Sequence, residues 1–154
     1  MGHVDAKMVS FNQIAPEDTD RLWPVLKGIV AEIQSRSPES VDWQPEDLAR
    51  MLLVGNSRLV LINEGEKCIG WFIFRVLSHE ITKKPTSRIW LFGLFPEHRQ
   101  GIGQLRIIVT EIFDWLQTEY PMPLEIISRR RGWERVFKNI LTFKYIAFGR
   151  EVPA

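Results

Sequence analysis

Apolar and polar positions recur along this chain with two different periods, and each change of period marks a new element. Met8 to Ile14 reads as a first strand, followed by a polar segment in which Pro16 and Asp18 supply turn or cap chemistry. Leu22, Leu26, Ile29 and Ile33 then return at helical spacing, with Trp23, Val25 and Val30 beside them, which predicts a helix over 19–34. Pro24 suits that helix only in its first turn, so either the helix begins near Leu22 or it kinks. A loop over 35–43 leads to Pro45, which opens a short helix carrying Leu48, Met51 and Leu52 and ending near Gly55.

The period then falls to that of strands. Residues 58–62 and 68–77 read as an antiparallel hairpin joined by a turn at Asn63, Glu64 and Gly65. A polar connection over 79–87 precedes a further strand, 88–95, which is apolar on both faces and so predicted to be central. Beyond a glycine turn, Leu105, Ile108, Ile112 and Leu116 predict a long helix, widened on its apolar side by Ile107 and Phe113. A strand at 124–128, a helix at 132–141 and a strand at 143–149 complete the order. A strand, helix and strand in the middle form a parallel crossover, while the hairpin demands antiparallel neighbours, so the sheet is expected to be mixed.

Length and composition narrow this further. The 154 residues, 45% apolar, suit one domain, assigned to 8–154, with 1–7 read as a flexible tail or an expression remnant. No apolar run approaches the ~20 residues that cross a bilayer, and no continuous apolar signal segment opens the chain, so a cytoplasmic protein without membrane contact is expected. Cys68 is the single cysteine, inside an apolar run, and reads as a small buried hydrophobe. A formal charge of +1 gives no broad footprint for nucleic acid; the basicity is local, at Arg129, Arg130, Arg131, Arg135 and Lys138. Six tryptophans leave room for an aromatic groove, a homodimer contact or a protein partner beside ordinary packing.

One stretch carries most of the candidate chemistry. In FGLFPEHRQGIGQL, residues 92–105, a buried strand stops at a proline and a glycine turn starts a helix, so several backbone N–H groups converge without internal acceptors. Such donors, reinforced by the helix dipole, can cradle phosphate oxygens, with Gly101 and Gly103 permitting close approach and Arg99 adding charge from the rim. A plain glycine connection with no ligand would use the same residues. The spacing is neither that of a dinucleotide turn nor that of a nucleotide-triphosphate loop.

On Leu94, Pro96, Arg99, Gly101, Ile102 and Gly103 the chain resembles the Gcn5-related N-acetyltransferase (GNAT) superfamily, and Leu141, Thr142 and Phe143 resemble its late Leu-Gly-Phe corner. The element order is also similar to the family's over nearly the whole chain. The resemblance implies an α/β GNAT-like fold: a mixed, mostly antiparallel sheet of six or seven strands flanked by about four helices. It further implies acetyl-CoA or CoA as the acyl donor. Its diphosphate would be held by main-chain donors at Arg99, Gln100, Gly101, Ile102, Gly103 and Gln104, with strand amides around Phe92 and Leu94 beside the thioester. Two departures stand out: the turn is one residue short when aligned on Arg99, and Thr142 replaces a glycine.

Acyl transfer to an amine also needs a proton acceptor and a route for the leaving thiolate. The strand over 88–95 holds no carboxylate or histidine, and Lys138, beside Phe137, occupies the late-helix position where the family has a tyrosine. Lys138, as a cation near a developing thiolate, and Tyr145, as a proton relay, are the candidate catalytic residues. Glu97, His98, His79 and Glu80 read as turn or surface groups, and no residue set has metal-ligand spacing. The basic run 128–138 with Trp133 would lie near the open end of the ligand cleft. Two functions follow: an acyl-CoA-dependent N-acyltransferase acting on a small-molecule or protein amine, or a catalytically silent domain of the same shape serving protein interaction, regulation or virion assembly. Divergent bacteriophage proteins resemble such degraded members.

Overall fold

The computed structural model describes residues 9–36, 42–54, 57–78 and 81–126. Along the chain these form β1 (Ser10–Gln13), α1 (Trp23–Arg36), α2 (Pro45–Val54), β2 (Arg58–Glu64), β3 (Lys67–Ser78), β4 (Pro85–Leu94), α3 (Ile102–Glu119) and β5 (Leu124–Ile126). Single 3-10 turns lie at Pro16–Asp18 and Pro96–His98. The strands make one sheet in the order β1-β2-β3-β4-β5, antiparallel except for the parallel pair β4 and β5 joined through α3. Five strands and three α-helices are thus present among the described residues, not the expected six or seven and four. The helix at 132–141 and the strand at 143–149 fall outside those residues, as does the segment 1–7.

Local chemistry explains most element boundaries. Pro24 is the second residue of α1, where its missing N–H costs no helical hydrogen bond. The helix therefore starts at Trp23, four residues later than periodicity placed it, and 19–22 are turns. The hairpin strands run further than polarity indicated, with Glu64 opposite Lys67, so its loop is Gly65 and Glu66. Gly65 has φ 63°, the left-handed geometry that such a loop requires. β4 begins at Pro85, because Thr86 and Ser87, polar by sequence, are buried, and the Ser87 N–H donates to the Pro123 carbonyl at 3.0 Å.

β2 and β3 are apolar on both faces, which places the sheet between two helical layers. Val60, Ile62, Phe72 and Phe74 pack with Ile89 against Ile108, Ile112 and Leu116 of α3. Leu59, Leu61, Trp71 and Ile73 pack on the other face against Leu26 and Ile29 of α1 and Leu48 of α2. Each fully buried side chain contributes roughly 1.5–3 kcal/mol, so both layers hold the central strands in place. β3 and β4 approach closely at Gly70, where an added Cβ would lie 2.6 Å from the Gly93 carbonyl oxygen. Among the described residues no helix is long and apolar enough to cross a membrane.

Candidate functional site

β4 carries an irregularity near its end. Ile73 faces Leu91 and Phe74 faces Ile89, so Trp90 bulges from the β3 ladder without a partner. On the other side, the described part of β5 pairs with β4 at Ser87, Arg88 and Ile89. The Phe95 N–H donates to the Ile69 carbonyl at 2.9 Å, which fixes the alternation: Leu91 and Gly93 bond to β3, while the backbones of Phe92 and Leu94 point away from it, to the other edge.

Arginines meet that edge. Arg36 donates from Nη1 to the Phe92 carbonyl at 3.3 Å and from Nη2 to the Leu94 carbonyl at 3.4 Å; Arg99 Nε donates to the same Leu94 oxygen at 3.1 Å. Both guanidiniums also pair with Glu32 Oε1, Arg36 at 2.5 Å. Glu32 is a buried carboxylate on α1, satisfied by these two cations. Burial lowers the Arg36 pKa from its ordinary value, but a guanidinium remains protonated in a protein. Arg99, 45% exposed, thus spans from α1 and β4 to the surface.

The turn that follows presents the donors. The Arg99 N–H is taken by the Pro96 carbonyl at 3.3 Å, and the Gln100 N–H by Gln104 Oε1 at 3.2 Å. Gly101 caps α3 with φ 108°, and the first helical bond runs from Leu105 N–H to its carbonyl at 3.2 Å. The amides of Gly101, Ile102, Gly103 and Gln104 find no acceptor among the described residues, at a helix end whose dipole favours anions. Gly101, Ile102 and Gly103 are exposed, and open space surrounds both glycines. Of the six expected positions, Arg99 to Gln104, four carry an amide without an acceptor among the described residues. His98 and Glu97 sit together in the 3-10 turn, 3.9 Å apart.

Sequence reasoning missed a carboxylate on the neighbouring strand. Glu125 of β5 is 5% exposed and lies beside Arg88 of β4, whose Nε donates to its Oε1 at 2.6 Å. Its second oxygen, Oε2, is buried and has no hydrogen-bond partner among the described residues. A buried acceptor left unpaired costs about 1–3 kcal/mol and calls for a reason. An acidic residue between two apolar ones in Leu124-Glu125-Ile126 was the available signal. Glu32, four residues before Arg36 on the apolar side of α1, was another.

On the α3 face, a cavity of about 10 Å³ between Phe72, Ile89, Phe92, Val109, Phe113 and Ile126 is apolar and barely admits one water. Near the other face, Trp90 meets Trp43 and the Arg75 guanidinium. Lys138, Tyr145, Trp133, the arginines at 129–131 and 135, His79 and Glu80 lie outside the described residues. Among the described residues, no cluster of His, Cys, Asp and Glu is placed to hold a metal ion.

No protein-family model and no curated protein matches the sequence. Solved structures do match. An aminoglycoside acetyltransferase from an uncultured soil metagenomic sample, in complex with sisomicin, superposes with TM-score 0.62 over 95% of this chain and 97% of its own, at 15% identity. The fold is that of the Gcn5-related N-acetyltransferases. A ribosomal-protein-alanine N-acetyltransferase from Brucella melitensis biovar Abortus 2308 matches at TM-score 0.61 and 13% identity, over 94% of this chain and 99% of that one. A GCN5-related N-acetyltransferase from Ralstonia eutropha JMP134 gives 0.64 and 14%, over 94% and 98%. At such identities the GNAT likeness is one of shape. The bacteriophage kinship raised by the sequence has no counterpart among these three neighbours.

Proposed function

We propose that this GNAT-fold chain is an N-acyltransferase that takes an acyl group, most simply acetyl, from acyl-CoA and passes it to an amine. The observation that carries the reading is the run of four amides at the start of α3 that have no acceptor among the described residues, next to the end of β4. A diphosphate fits the first, since main-chain donors are what it presents, and an extended amide-bearing arm would lie along the second. The arm would run back along β4 toward Trp90, bringing the thioester to the level of Glu125.

In the reaction the amine nitrogen attacks the thioester carbon, a C–N bond forms, the C–S bond breaks, and the CoA thiolate leaves to be protonated from solvent. The amine proton passes to Glu125 Oε2, the oxygen without a partner, and from there to water. Arg88 holds the other oxygen and so fixes the carboxylate's orientation. Lys138 and Tyr145 stay as candidates for the thiolate side. The neighbours' names include an aminoglycoside and a ribosomal-protein alanine, so both small-molecule and protein amines are within reach of the fold. The test is release of free CoA thiol from acetyl-CoA across a panel of amines. Amine-dependent release is expected; a folded protein that releases thiol with none of them contradicts the proposal.

A second reading, a silent domain serving a protein contact, draws on one observation. The Phe92 and Leu94 carbonyls, which an extended arm would use, are already engaged by Arg36 and Arg99. On that reading the same assay shows no transfer and substitution of Glu125 changes nothing.

A further inference from the structure

The four arginines around β4 do not share their carboxylates evenly. Arg36 and Arg99 pair with Glu32, and Arg88 pairs with Glu125, but Arg75 has no carboxylate among the described residues. Its guanidinium is nonetheless held in place. The Cζ atom lies 4.5 Å from the centre of the Trp90 ring, and Nε donates to the buried Ser57 hydroxyl at 3.0 Å. Stacking fixes the plane of the fork and Ser57 fixes its rotation. Nη1 and Nη2 keep no partner among the described residues, which is the edge that grips a carboxylate with two parallel hydrogen bonds.

This fork belongs to the acceptor side. Arg75 is opposite Arg88 across β3 and β4, and Arg88 is beside Glu125 across β4 and β5. Residues directly opposite share a face, so Arg75 and Glu125 stand two strand spacings apart, about 10 Å between backbones. Trp90, pushed out by the bulge and 40% exposed, lies between strand and solvent there, with Trp43 edge-on to it at 6.3 Å and 83°. A polycationic amine would meet an unneutralised guanidinium at this place. An amine that carries its own anion would be drawn to it.

From this arrangement we infer that the acceptor is a small amine bearing a carboxylate, its anion on Arg75, its body against Trp90 and Trp43, and its amino group toward Glu125. The inference rests on the N-acyltransferase reading and names the substrate class of that site. Arg75 is then a specificity-determining residue.

The experiment compares acetyl transfer to phenylalanine, to phenethylamine, which lacks the carboxylate, and to sisomicin, a polycation. Wild-type protein is expected to favour phenylalanine over phenethylamine by about tenfold or more in kcat/KM, as loss of a designed polar contact predicts. In R75M that ratio is expected to collapse toward one, chiefly through KM for phenylalanine. R75K keeps the charge without the fork and is expected to fall between; it serves the same comparison if R75M does not fold. Transfer that favours phenethylamine or sisomicin, or a ratio unchanged in both variants, overturns the inference and leaves the transferase reading intact. No transfer to any of the three or to a wider amine panel overturns the reading and the inference together.

Discussion

Glu125 is where single residues decide the chemistry. A carboxylate with one oxygen held by Arg88 and the other buried without a partner is costly unless a donor arrives during the reaction. E125Q keeps the shape and removes the base, so kcat is expected to fall by about 10²- to 10⁴-fold with little change in KM for acetyl-CoA; steady-state kinetics check this. Glu125 was not legible as a site, because a lone acid among apolar neighbours gains its meaning only from a cation on another element; Glu32 could be paired with Arg36 by spacing, but its tie to Arg99 could not. Cys68 was legible in outline: half-buried, it packs beside Trp71 and Ile73. Burial pushes its thiol up, against a smaller opposing effect of the Gly70 carbonyl. Less thiolate is present at neutral pH, so alkylation at pH 8 is expected to run slower than for a free cysteine in the unfolded chain.

At the scale of elements, the turn from β4 into α3 separates two glycines that look alike in sequence. Gly101 has φ 108°, a conformation L residues rarely adopt, whereas Gly103 is the second residue of an ordinary helix with open space beside it. G101A is therefore expected to cost about 1–3 kcal/mol in urea unfolding. G103L is expected to leave stability within about 0.5 kcal/mol and to weaken acetyl-CoA binding by obstructing the amides; equal affinity in G103L would remove this turn from the ligand site. Most elements were readable from periodicity, since α1, α3 and the hairpin each present a clean apolar pattern. The exceptions have physical causes. Thr86 and Ser87 hid the start of β4 because buried polar residues satisfied by a neighbouring carbonyl resemble loop. The bulge at Trp90 was invisible because it depends on the register of β4 against β3, which the pattern of one segment does not fix.

The molecule as a whole is tied together at Glu32. That one carboxylate links α1 to β4 and to the turn before α3 through Arg36 and Arg99, which also hold the Phe92 and Leu94 carbonyls. Its removal leaves two guanidiniums beside the α3 amino end without a counter-charge. E32A is expected to cost about 3 kcal/mol in urea unfolding, toward the lower end for a broken buried pair because Arg99 is 45% exposed. The overall shape was legible before any coordinates, through a motif of six residues and an element order, although identities of 13–15% to the three neighbours leave little sequence in common. Fold survives such divergence because burial pattern suffices for it; chemistry does not, because it needs particular atoms in place. The central claim is that the four amides of Gly101 to Gln104 receive the diphosphate of CoA. Calorimetric titration of the folded protein with acetyl-CoA tests it most directly. Saturable one-to-one binding, weakened in G103L, is predicted, and an absence of heat up to millimolar ligand would contradict it.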